Sequence, residues 1–90
     1  MSAARENLLR RHLANPFFVL ELPLDASREQ LERQGAKLLS LLAAEVAEAA
    51  TYPTPLGRKE RTDEMVRAAL AELRDPDRRL AHEWWARGLA

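Results

Sequence analysis

Asp75-Pro76 is the step that most constrains what this chain can fold into. It sits in the stretch Ala68 to Trp85, AALAELRDPDRRLAHEWW. Just upstream, Val66, Ala69, Leu70 and Leu73 recur at i, i+3, i+4 and i+7, which is the apolar stripe of a helix. Pro76 cannot continue that helix, because it lacks an N–H and its ring clashes with the preceding turn. It suits the first position of a new helix, where the N–H would be unpaired anyway. Asp75 is then the natural N-cap, and Asp77 stands near the positive end of the new dipole. Leu80, Ala81, Trp84 and Trp85 supply the apolar side of this second helix, and Gly88 is a plausible stop. Trp84 and Trp85 point ~100° apart on a helix, so one ring is expected in the core and the other half exposed.

The rest of the chain supplies surfaces for this corner to pack on. Residues 3–14 carry Ala4, Leu8, Leu9 and Leu13 among charges, a short N-terminal helix or a frayed arm, leaving 15–90 as the domain. Asn15-Pro16 opens a buried short helix through the apolar knot Phe17, Phe18, Val19, Leu20 and Leu22, with a strand as the alternative. Ser27 and Gln30 match a capping box. They start a helix expected to run to about Ala49, with Leu31, Gly35, Leu38 and Leu42 inward and Leu39 and Leu41 widening the stripe. Gly35 is expected to admit a ring, Phe17 or Phe18, close to the backbone. TYPTPLG, residues 51–57, reads as a loop. The basic cluster RKER (58–61) follows as a solvated helix start, and Thr62 caps the helix to Arg74. No period-two signal stands out, so the expected fold class is all-α. Its centre is an antiparallel helical hairpin with short flanking helices.

Composition removes several classes of function. Ninety residues make one domain, able to bury roughly 60–65% of its unfolded surface. The 14 basic residues balance 14 acidic ones, so no general field draws the chain to nucleic acid or to a membrane. Cysteine is absent, so there is no disulfide frame and no thiolate nucleophile. MSAARENLL lacks the layout of a signal peptide, and a cytoplasmic protein is expected. There is no Gly-rich phosphate loop and no H-E-x-x-H. His12 and His82 lack metal-ligand spacing, and no cofactor, metal or catalysis is expected.

NPFFVLELPLDASREQLERQGAKL resembles the opening of a J-domain, and AALAELRDPDRRLAHEWW resembles its closing elbow. The likeness covers residues 15–85. It implies a helical co-chaperone module that stimulates the ATPase of seventy-kilodalton heat-shock chaperones. It also implies core roles for Leu31, Leu38, Val66, Leu70 and Leu73, and makes Arg79 the arginine of the corner. The family's activity requires a His-Pro-Asp tripeptide, and here only Tyr52-Pro53-Thr54 stands in that loop. The family's basic second helix is replaced by residues 28–48, which carry Arg28, Arg33 and Lys37 against Glu29, Glu32, Glu45 and Glu48. Such a face does not steer toward an acidic partner.

The expectation is therefore a non-catalytic protein–protein interaction module that keeps the J-like shape without stimulating the chaperone. Its candidate contacts are Leu39, Leu41, Tyr52, Pro53, Thr54, Leu56, Trp84 and Trp85. The partner is another protein, or a second copy through the wide leucine face. Two alternatives remain open from sequence: a genuine co-chaperone with a degenerate loop, and a nucleic-acid-binding helical domain using RKER.

Overall fold

The computed structural model describes residues 13–89. The arm or helix expected over 1–14 lies outside these residues apart from Leu13 and Ala14, as does His12. The elements are α1 (Pro16–Val19), α2 (Arg28–Ala43), a 3-10 turn (Ala47–Ala50), β1 (Thr51–Thr54), β2 (Gly57–Glu60), α3 (Asp63–Arg74) and α4 (Pro76–Leu89). The expected all-α class is overturned: β1 and β2 form a two-stranded antiparallel sheet inside a mostly helical chain. The proline loop is this hairpin, with Thr51 facing Glu60, Tyr52 facing Lys59 and Thr54 facing Gly57.

Local chemistry explains why a segment with two prolines still forms a hairpin. A lone two-stranded ribbon has only edges, so Pro53 costs it little ladder bonding. Gly57 takes φ 101°, which suits a residue without Cβ. Thr54 closes the turn, its Oγ1 accepting from the Leu56 N–H at 3.2 Å and donating to the Gly57 carbonyl at 2.6 Å. An isolated hairpin is marginal in water, and Tyr52 ties this one down. Its ring is buried, and its hydroxyl donates to the Leu13 carbonyl at 3.3 Å.

Side chains close to each boundary set the helix starts. Ser27 and Gln30 exchange both bonds of the capping box, at 3.0 and 2.7 Å. Thr62 accepts from the Met65 N–H, and Asp75 accepts from the N–H groups of Asp77 and Arg78. The helix ends follow a less visible rule. After α1 and again after α2 the chain turns through a glutamate with positive φ, Glu21 at 52° and Glu45 at 57°. Leu22 donates back to Phe17 and Val46 to Leu41, the six-to-one bond of a Schellman cap, which glycine usually makes. That cap ends α2 at Ala43, six residues short of the expected Ala49.

The core joins Phe17, Val19, Leu20, Leu31, Leu38, Tyr52, Val66, Ala69, Leu70, Leu73 and Ala86. Gly35 meets α3 rather than a phenylalanine: a Cβ there would stand 2.5 Å from a Leu70 methyl. The missing side chain is what lets α2 and α3 approach.

Candidate functional site

α4 docks on the body of the molecule with its polar side. Its inward residues are Arg79, His82 and Glu83, all half-buried, and Ala86, which is 1% exposed. The Arg79 guanidinium donates to the carbonyls of Leu24 at 3.2 Å and Ala26 at 2.6 Å, pairs with Glu83, and lies 5.5 Å from the centre of the Phe17 ring. Asn15 is buried and works in two directions. Its Oδ1 caps α1 at Phe17, while its Nδ2 donates to the His82 carbonyl at 3.0 Å. The His82 ring meets Glu72 of α3 at 3.1 Å. Backbone carbonyls left over by the 22–26 connection thus find a donor in Arg79, Asn15 adds a bond to a carbonyl within α4, and an amphipathic helix can be held by its hydrophilic face.

The apolar side of α4 therefore points outward. Leu80 is 66% exposed and Trp84 68%, with Trp85 at 42%. The expectation of one core tryptophan is corrected: neither ring is buried, and the small Ala86 takes the inward place. The two indoles meet edge to face with centroids 5.0 Å apart, an arrangement aromatic pairs favour. Four large hydrophobic side chains among the described residues are well exposed, and three of them lie on this one helix. The fourth, Leu56, is 59% exposed at the hairpin tip.

The remaining candidate contacts divide. Pro53 is exposed and Thr54 half-buried, its hydroxyl committed to the turn. Leu39 packs against the core cluster, and Leu41 is half-buried on the same helix. Tyr52 is withdrawn from the contact surface by its burial, which also pushes its phenol pKa up against the opposing pull of Arg61. The structure brings Trp84 and Trp85 together and adds Leu80, which sequence spacing had turned inward.

Arg61 is the residue that sequence reasoning most misjudged. It reads as part of a solvated basic cluster, yet its side chain is fully buried. Its Nε donates to the Val19 carbonyl at 2.8 Å, and its Nη1 to those of Ala49 and Thr51. Its Nη2 pairs with Glu21 at 2.6 Å, and the guanidinium sits 5.5 Å from the centre of the Tyr52 ring. The fork thus ties the α1 exit, the 3-10 turn and the hairpin at one point. Nothing in R-K-E-R distinguishes Arg61 from Arg58, which stays exposed and bonds Thr51.

Two carboxylates are held ionised around the helices. Glu32 of α2 takes a two-pronged bond from Arg74 of α3, at 2.6 and 2.8 Å. That bond, with a further one from Arg28 and against partial desolvation, lowers its pKa to about 2. Glu72 is also lowered, first by the His82 bond and then by Arg78. Among the described residues no group of three or more His, Cys, Asp or Glu side chains could hold a metal ion. No described helix is long and apolar enough to cross a membrane. Comparison with protein-family models, with curated proteins and with solved structures finds no match to this chain.

Proposed function

We propose that the protein is a non-catalytic protein–protein interaction module whose contact surface is the outward face of α4. The observation that carries this is the inverted helix: Leu80 and Trp84 stand two-thirds exposed on a helix anchored by its polar side. Tryptophan is enriched among residues that dominate binding energy, and leaving it in water has no folding benefit. The same proposal includes a J-like arrangement of helices uncoupled from the chaperone ATPase. The uncoupling is supported by Tyr52-Pro53-Thr54, the step that the resemblance sets against the tripeptide: the Tyr52 ring is buried and Thr54 carries no charge. A cytoplasmic setting belongs to this proposal too, on the absence of cysteine.

A photo-crosslinking residue at position 84, compared with one at exposed Lys37 of α2, tests the surface. Protein adducts at 84, competed away by excess unmodified chain and not formed at 37, are the expected result. Equal yields at the two positions would remove the proposal. Addition of the purified chain to a seventy-kilodalton heat-shock chaperone should leave ATP turnover unchanged, and stimulation would remove its second half.

A further inference from the structure

With the outward face of α4 taken as a protein contact surface, we infer that its partner is a second copy of this chain. The two α4 helices would pack antiparallel about a two-fold axis. The pattern of the helix carries this. His82 faces the body of the molecule, so at ~100° per residue the opposite line of the helix runs between Leu80 and Trp84. Flanking it symmetrically are Asp77 and Arg87, then Pro76 and Gly88. Two copies related by a two-fold at the level of residue 82 place Leu80 against the copy's Trp84 and Asp77 against the copy's Arg87. Each contact then occurs twice, as an isologous interface requires. The 77, 80, 84, 87 spacing is also the three-four-three seam on which antiparallel helices interdigitate.

Three further observations fit this occupant. Asp77 and Arg87 are both exposed, and neither enters an ion pair among the described residues. Other charges on the same helix are already engaged, Arg78 with Glu72 and Arg79 with Glu83. The two unengaged charges of opposite sign therefore sit at matching distances from the centre of the apolar stripe. Gly88 has open space where a Cβ would stand, so the edge of the stripe at this end leaves the copy's helix room to approach. Trp84, Trp85, Arg87 and Gly88 together line a shallow concavity at this end of the helix. One helix of 14 residues per copy is a small seam, so the dimer should be reversible and of modest affinity.

Sedimentation equilibrium of the full chain tests the arrangement with two singly substituted proteins. The wild-type chain should dimerise reversibly, and Asp77→Arg or Arg87→Asp should each weaken the dimer by about tenfold or more, because like charges then meet twice. Mixing the two variants should restore association near the wild-type level. In the mixed pair the two introduced charges face each other with opposite sign, and the native Arg87 of one variant faces the native Asp77 of the other. Thermal melts followed by circular dichroism confirm that both variants are folded before mixing. A wild-type chain that stays monomeric at all accessible concentrations would overturn the inference, as would a mixture that associates no better than its components. Photo-adducts to other proteins at position 84, combined with a monomeric chain, would leave the contact surface standing and remove only the second copy.

Discussion

α3 and α4 leave the same corner, and each carries an apolar stripe, yet they use it in opposite ways. α3 turns Val66, Ala69, Leu70 and Leu73 into the core, each at most 5% exposed. α4 turns Leu80 and Trp84 away and lays Arg79 and His82 on the body of the molecule. The hydrophobic effect has no direction and rewards α3 simply for removing carbon surface from water. α4 is held instead by bonds with direction: Arg79 donates to carbonyls that would otherwise lose water without replacement, and Asn15 reaches the His82 carbonyl of the helix itself. The difference shows that amphipathicity states only that a helix has two faces. Which face turns inward depends on what the neighbouring backbone leaves unsatisfied.

The comparison can be broken most forcefully at the sites where each kind of docking is deepest. Arg61 is a fully buried version of what Arg79 does at the surface, so Arg61→Ala should cost about 3–5 kcal/mol by leaving the Val19 and Ala49 carbonyls without their charged donor and Glu21 without its counter-charge. Leu70→Ala in α3 should fall within about 2–5 kcal/mol. Chemical denaturation of both would show whether polar and apolar anchoring are comparable here. A small loss for Arg61→Ala would mean that polar ties are incidental.

A middle-sized effect is expected at the elbow. Arg79→Ala should cost about 1–3 kcal/mol, since the carbonyls of Leu24 and Ala26 lose a charged donor. Hydrogen exchange should show the loss concentrated in α4, with α3 protected as before. Uniform loss of protection would mean the two helices unfold as one unit.

Acid should loosen the ties between helices next. The folded chain holds the carboxyls of Glu32, at about 2, and Glu72 below the ordinary 4.5, so it binds fewer protons than the unfolded chain. Their contribution is complete above pH 4.5 and falls away as the pH drops below it, for Glu32 on the way to about 2. Both groups are partly exposed, so each should account for about 1 kcal/mol or less. Glu32→Gln should flatten the acid limb of a stability profile, and an unchanged limb would show that Arg74 adds nothing. The smallest effect belongs to the outward stripe: Leu80→Ala and Trp84→Ala should each shift monomer stability by no more than about 0.5 kcal/mol. A loss of Leu70 size at either position would erase the contrast between the helices.

Much of the helical skeleton was legible, and the reasons for the failures are specific. The S-x-x-Q box, Thr62 and the Asp-Pro step all announce helix starts, because each acts through bonds within three residues. The end of α2 was hidden because a glutamate fills a place where glycine is the usual signal. The hairpin was hidden because β2, Gly57–Glu60, has no buried residue and β1 has only Tyr52, too little for a period of two. At the candidate site the indole pair was visible from sequence. Leu80 was assigned to the wrong side because an apolar stripe was assumed to face the core.

By itself the sequence determined where helices begin and that the chain must bend at Pro76, since caps and proline sterics act on neighbours along the backbone. Only the tertiary structure decided that Arg61 would be buried, that Gly35 would face Leu70, and that α4 would present its indoles to solvent. Those outcomes depend on carbonyls and side chains as far as 67 residues away in the chain, such as the Asn15 amide that reaches the His82 oxygen or the Leu24 oxygen that receives Arg79. A donor is drawn inward when such an acceptor waits there, and no local pattern records its position.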